Sequence, residues 1–496
     1  MLKPGKLGLL SSSVLYGLGG GVQRLISFIL LPVFSHYLTP ADYGVVGLLA
    51  ALPAILLPIF SLGLSASIGV CYFASNEAEE RLRLVQTAKF ITTLSGLMLA
   101  VLALIFSDAL TRLVLGNQDY RLHTLVAIAT VSLSILCLPA QSEQQFSQRP
   151  MEYVSISLAG AVFTTLCSLL MTVFLELGAL GMLLGGMSGQ ALVLVLLSSR
   201  KKCINQKKSK ADPGLAKNLL THGLPMLPSF FLLFIIQHWV RWPLENSHGI
   251  DSVGLFSLGS SLGASLTLIT SGFVAAWMPW AMSHAEQWSE HRHVVAKRFT
   301  QYFITCGFVV LLFFCVAHTV TSLLLPSAFF DVWMTVGLAA ASNFVMSLFS
   351  LVLPPVYIAK RVYLILISQT FAAIVTVIIF YSVRDFGFLG AALAVFVGVT
   401  ALVFTQLIVN VKLTSVLPIP FDIWRLAIAV LILGFSCCAT FFIGSLKGFQ
   451  YFVFTGGVVL MAGAVMFFIL PDRRCLLNGF ADRMSKLLRR RRALNG

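Results

Sequence analysis

Apolar runs of about twenty residues, parted by short polar segments, recur along the whole chain. Their length decides the element type, because about 20 residues of helix cross the ~30 Å hydrocarbon core, whereas barrel strands are half as long and alternate in polarity. The pattern predicts about fourteen transmembrane helices, at roughly 8–31, 45–70, 88–107, 121–140, 152–174, 178–198, 219–241, 253–275, 299–324, 332–353, 362–382, 387–410, 426–445 and 450–470. Within lipid every backbone polar group must be bonded inside its own segment, so the predicted fold class is all-α and polytopic. The first apolar run follows Lys3 and Lys6 but is too long for a removable leader, and is expected to stay as the first span.

Composition agrees with that reading: 58% hydrophobic residues and 11% charged ones leave too little polar surface for a soluble globule. The net charge of +15 does not point to nucleic acid, because the cations are not interleaved with aromatics on one surface. Most of the 34 lysines and arginines fall in alternate connections, including 200–217 and the Arg489–Arg492 tail. By the positive-inside rule, that bias puts both termini in the cytoplasm. The tail also carries Leu476, Leu477, Phe480, Met484, Leu487 and Leu488 at helical spacing, as a helix lying on the inner leaflet would.

A repeat organises these spans. Gly178 and Gly181 match Gly387 and Gly390, each 209 residues on; Gly44 matches Gly254 at 210, and Pro139 matches Pro354 at 215. Three matches near one period predict two pseudo-symmetric six-helix lobes, 1–199 and 218–412. The basic segment 200–217 joins them, two extra helices follow at 424–471, and 472–496 forms the tail. An even number of spans separates equivalent segments, so the lobes are parallel repeats, and a cavity between them is the expected path.

Candidate chemistry is sparse. Arg24 stands inside the first span after Gly17, Gly19, Gly20 and Gly21. A charge at mid-membrane costs roughly 2.5–3.5 kcal/mol on insertion scales, and it faces a polar interior when tolerated. A guanidinium suits a phosphate, since its planar fork bonds two oxygens at once. The alternatives are a buried acid partner or a snorkelling side chain. Arg241 and His238 lie toward the outer end of the seventh span and are expected to line the same cavity or to anchor at the interface. Glu143 and Arg149, with Lys360 and Arg361 in the second lobe, sit at the inner mouth, where they would guide an anionic headgroup or simply follow the charge bias. Pro32, Pro53 and Pro58 supply kinks in the first two spans.

The remaining readings are exclusions. His284, His291 and His293 with Glu286 and Glu290 fall in one inner loop without metal-ligand spacing, and the nine cysteines show no CxxC pair. No metal or cofactor is expected. The absence of a phosphate-binding loop and of a large extramembrane domain argues against catalysis and against ATP-driven pumping by this chain alone. Coupling to protons or sodium would fall on Asp42, Glu143 or Glu176.

LISFILLPVFSHYLTPADYGVVGLL from Leu25, GLPMLPSF from Gly223, VGLFSLGSSL from Val253 and FGFLGAALAVFVG from Phe386 resemble the polysaccharide-transporter family over about the first 415 residues. That family includes Wzx-type flippases within the multidrug/oligosaccharidyl-lipid/polysaccharide superfamily. The resemblance implies a V-shaped, two-lobed fold that moves an undecaprenyl-diphosphate-linked glycan to the outer leaflet of the bacterial inner membrane. Its expected companions are membrane lipids, a polysaccharide polymerase and a chain-length regulator. Where the family often has Asp-Arg, this chain has Val240 before Arg241. The two other readings are a cation-coupled drug antiporter on the same fold and a membrane-embedded polymerase. The first would want an early intramembrane acid where Arg24 stands; the second would want a large catalytic loop.

Overall fold

A computed structural model describes residues 25–26, 28–75, 77–146, 150–203, 212–443 and 449–471. These residues are helical with short connections, and ten segments are long and apolar enough to cross a membrane. Two of the ten, Pro213–Ala264 and Val362–Leu413, each run through more than one helix. Arg24, Arg149 and the tail lie outside the described residues.

In chain order the first half holds α1 (Phe28–Tyr37), α2 (Pro40–Leu49), α3 (Leu52–Phe60), α4 (Leu64–Ala74), α5 (Ala78–Ile105), α6 (Ser107–Leu115), α7 (Arg121–Phe146), α8 (Pro150–Leu169) and α9 (Gly178–Cys203). The second half holds α10 (Pro213–Gly223), α11 (Leu227–Gln237), α12 (Arg241–Ala264), α13 (Thr267–Ser283), α14 (Trp288–Leu324), α15 (Trp333–Val352), α16 (Pro354–Ile358), α17 (Ile365–Val383) and α18 (Gly387–Leu413). The final pair is α19 (Ile423–Ile443) and α20 (Phe449–Ile469).

Local sequence explains the breaks. Thr39 caps α2 by accepting from the Asp42 amide, the Asp42 carboxylate accepts back from the Thr39 amide, and Pro40 occupies the first turn. The second span expected at 45–70 is therefore three helices, α2 to α4, with Pro53 and Pro58 in α3 and the left-handed pair Leu62 and Gly63 before α4. The linker expected over 200–217 is shorter at its end, since Asp212 caps α10 and Pro213 begins it. His291 and His293, read as loop residues, lie on the first turns of α14, which runs well before residue 299. Among the described residues no cluster of histidine, cysteine and acid side chains suits a metal.

The same helix pairings recur in both halves. α5 packs on α7 as α14 packs on α15, α7 on α9 as α15 on α18, and α8 on α9 as α17 on α18. Small residues allow the approach: a Cβ on Gly189 would overlap Thr164, and one on Gly398 would overlap Thr376. Where α2 crosses α12 the contacts are reciprocal. A Cβ on Gly44 would strike the Ile250 carbonyl, one on Gly254 the Pro40 carbonyl, and one on Gly47 the Ser257 side chain. Residues 40, 44 and 47 answer 250, 254 and 257 at one constant offset, the signature of a local two-fold contact.

The apolar core is correspondingly divided. One cluster lies within the second half, around Trp277, Tyr302, Phe344 and Leu402. Another joins the halves at the α2–α12 end through Val45, Leu48, Val253 and Phe256. At the other end α10 docks on α4 and α5, burying Leu219 against Leu64, Ile68 and Leu84.

Candidate functional site: a polar cavity around Arg241

The seventh span breaks where α11 ends at Gln237 and α12 begins at Arg241. The break frees the last carbonyls of α11, and Arg241 turns back to them. Its Nη1 donates to the Gln237 carbonyl at 3.2 Å and lies 3.5 Å from that of His238. A cation is favourable there, against the negative end of a helix. The same Nη1 lies 3.2 Å from His238 Nδ1. Arginine only donates, so Nδ1 accepts and the neutral ring keeps its proton on Nε2.

These two residues line a cavity of about 240 Å³ with Gln237, Ser260, Ser261 and Asn343, closed by apolar atoms of α15 and α18. Its polar part is amide, hydroxyl, imidazole and guanidinium, with no carboxylate among the described lining residues. Arg241 packs its guanidinium over the Phe256 ring at 5.2 Å, and its Nε is buried without a hydrogen-bond partner. Among the described residues no acid pairs with it. Asn343 spends one Nδ2 proton on the Ala339 carbonyl at 2.8 Å, and Gln237 Nε2 rests 3.9 Å from Met346 Sδ, leaving amide capacity on both. An uncompensated buried cation beside unsaturated amides is an arrangement that an anion completes.

Arg241 and His238 are thus brought together, while Arg24 lies outside the described residues. The described lining comes from α11, the turn after it, α12, α15 and α18, all in the second half. Of the residues expected at the inner mouth, Arg149 lies outside the described residues, and Glu143 and Arg361 are engaged elsewhere than in this cavity. Glu143 Oε2 lies 3.7 Å from Lys89 Nζ, tying α7 to α5. Arg361 donates to the Leu413 carbonyl at 2.9 Å and so caps α18, while the exposed Lys360 adopts φ +56° at the turn between α16 and α17. Of the acids considered for ion coupling, Asp42 is taken by the cap and by the Ala179 amide at 3.2 Å, and Glu176 sits exposed in a turn at φ +50°.

Sequence reasoning missed Gln237, Ser260, Ser261 and Asn343. Their signal is a polar residue inside an otherwise apolar span, and serines are common enough in packed membrane helices to hide it. It also missed a buried chain in the second half. Ser368 Oγ donates to Gln406 Oε1 at 2.6 Å, Gln406 Nε2 to Asn410 Oδ1 at 2.9 Å, and Asn410 Nδ2 to the Val352 carbonyl at 2.6 Å.

Comparison with solved structures places the fold. The lipid II flippase MurJ, in an inward closed conformation, superposes with a TM-score of 0.67 at 14% identity, over 92% of this chain and 99% of that one. An inward-facing multidrug resistance MATE family transporter of the MOP superfamily gives 0.64 at 13% identity, over 80% of this chain and 93% of that one. A MOP superfamily transporter from Pyrococcus furiosus, described as having a binding pocket of reversed polarity, gives 0.56 at 14%, over 81% and 95%. No curated protein matches the sequence. The fold is thus the polytopic helical architecture that these MOP superfamily structures share. Residues 9–284 match the family described as polysaccharide biosynthesis protein, and the chain belongs to that family.

Proposed function

We propose that this protein is a flippase that carries an undecaprenyl-diphosphate-linked oligosaccharide from the inner to the outer leaflet of the bacterial inner membrane by alternating access. The observation that carries the reading is Arg241, a cation without an acid partner among the described residues, lining a cavity of amides and hydroxyls. A diphosphate supplies the missing negative charge, and sugar hydroxyls match the amide and serine walls. Arg24 is a second cation for the same headgroup. Glu143, Arg149, Lys360 and Arg361 frame the inner entrance, and both termini face the cytoplasm. A polysaccharide polymerase and a chain-length regulator take the flipped unit onward, and its consumption or an ion gradient drives the cycle.

The multidrug antiporter reading draws on the same architecture, but a cationic drug is repelled by Arg241 and finds no carboxylate in the described wall. The polymerase reading finds no extramembrane catalytic domain among the described residues. The test is to deplete the protein in cells and measure lipid-linked glycan by leaflet, restoring wild type or Arg241→Ala. Inner-leaflet accumulation cleared by wild type alone supports the proposal. Normal translocation with unjoined outer-leaflet units would overturn it in favour of the polymerase.

A further inference from the structure

Arg241 faces its cavity without an acid, yet the chain carries one a single turn further on. The helical stretch that begins at Arg241 is only about two turns long, because Gly249 breaks it at φ 79° and ψ 172°, a conformation open essentially to glycine alone. The chain then returns along residues 250–264, bringing the Phe256 ring under the Arg241 guanidinium at 5.2 Å. Glu245 stands four residues after Arg241 on the short stretch, and residues at that spacing share a helix face about 5–6 Å apart. Side chains lean toward the N-terminus of their helix, so Glu245 can sweep over the turn that holds Arg241.

In this structure the two do not pair. Arg241 is turned to the carbonyls that end α11. The Glu245 carboxylate lies instead against the first half, at Gly116, which ends α6: a Cβ on that glycine would sit 3.5 Å from Glu245 Oε1. Gly116 has no side chain to hold it, and among the described residues Glu245 makes neither a hydrogen bond nor an ion pair. The basic residue of α6, Arg112, approaches the Gln118 side-chain amide. Packing between the halves therefore sets where this carboxylate rests. Ile250, five residues on, belongs to the crossing with α2, so Glu245 lies at the end of the molecule where the halves meet through α2 and α12.

We infer that Glu245 is the internal counter-ion that displaces the diphosphate from Arg241 when the halves part at this end, which presupposes that Arg241 holds the diphosphate of a lipid-linked cargo. A buried guanidinium that loses its anion is left as an uncompensated charge, so unaided release is costly. A carboxylate that moves in as the phosphate leaves removes that cost. With the halves together, Glu245 stays against the first half and Arg241 is open to cargo. With them apart, the pair forms on one helix face, as an exchange of ionic partners in which no proton moves.

Two measurements on the purified full chain test this. Without cargo, the ion pair favours the parted arrangement. Hydrogen–deuterium exchange over 40–50 and 250–264 is then expected to slow about fivefold in Glu245→Gln and in Arg241→Met, and no further in the double variant. Asp385→Asn, an exposed change before α18, is expected to leave exchange alone. Melting temperature checks that each variant is folded, and Glu245→Gln alone suffices. Unchanged exchange in Glu245→Gln, or effects that add in the double variant, overturns the assignment. With a polyprenyl diphosphate as probe, Glu245→Gln is expected to bind about fivefold more tightly and to move it between leaflets about fivefold more slowly, a split that simple damage does not produce. Affinity and rate equal to wild type overturn the role of Glu245 and leave the flippase reading in place. A wild type that holds no polyprenyl diphosphate overturns that reading and the displacement together.

Discussion

The crossing of α2 and α12 gives the most quantitative prediction. Gly254 faces the Pro40 carbonyl so closely that any side chain forces the helices apart, and Gly44 stands in the reciprocal position against Ile250. Gly254→Val adds three carbons where none fit. Overpacking costs roughly 1–3 kcal/mol, more when the obstacle is backbone, and the modest helix-propensity gain from losing glycine recovers only about half a kcal/mol of it. A net loss of about 2 kcal/mol corresponds to a roughly 30-fold shift toward the separated arrangement. Gly272→Val on α13 is the control, because nothing lies within 4 Å of a Cβ there. Hydrogen–deuterium exchange of 40–50 and 250–264, with melting temperature beside it, reads the outcome. Gly254→Val is expected to speed exchange on both helices about 30-fold and to lower the melting temperature, with Gly272→Val unchanged. Equal behaviour of the two variants would refute the close crossing.

Other expectations test separate parts of the molecule. Arg241→Met relieves a buried cation that has no acid partner among the described residues but loses its bonds to the Gln237 and His238 carbonyls, so transport is lost while the melting temperature changes little; a strong loss of stability would make Arg241 structural. Arg241→Lys keeps charge without the fork and retains part of the activity that Arg241→Ala loses. Gln406→Leu takes the donor from Asn410 Oδ1, while Ser368 falls back on the Ile365 carbonyl and Asn410 Nδ2 keeps that of Val352, and is expected to cost roughly 1–2 kcal/mol, seen as a lower melting temperature. Gly63→Ala combines a left-handed backbone (φ +70°) with overlap of the Gly223 carbonyl, and is expected to loosen α10 from α4, measured as faster exchange over 213–223.

Much of this was legible in the residues because membrane helices announce themselves by length and apolarity alone. The glycine matches at 209 and 210 were legible for a second reason: close helix crossings admit only small residues, so Gly44 and Gly254, with Gly181 and Gly390, mark close approaches that the structure makes. The breaks inside spans were harder to read. Leu62 takes a left-handed φ that no leucine advertises, and the turn at His238–Val240 carries neither glycine nor proline. Arg241 was legible as a candidate, but whether it anchors at an interface or turns inward depends on that break. The amides around it were not legible, since a lone Gln or Asn in an apolar span shows its partners only when the neighbouring helices are placed.

If Arg241 keys the cavity, a diphosphate-linked glycan moves between leaflets only with that guanidinium in place. The most direct measurement reconstitutes the purified protein in vesicles loaded with a polyprenyl-diphosphate oligosaccharide and follows its transfer between leaflets with an impermeant sugar-modifying enzyme. Rapid transfer is expected with wild type, and loss of it with Arg241→Ala at matched incorporation. Transfer no faster than in protein-free vesicles, or equal rates for both proteins, would contradict it.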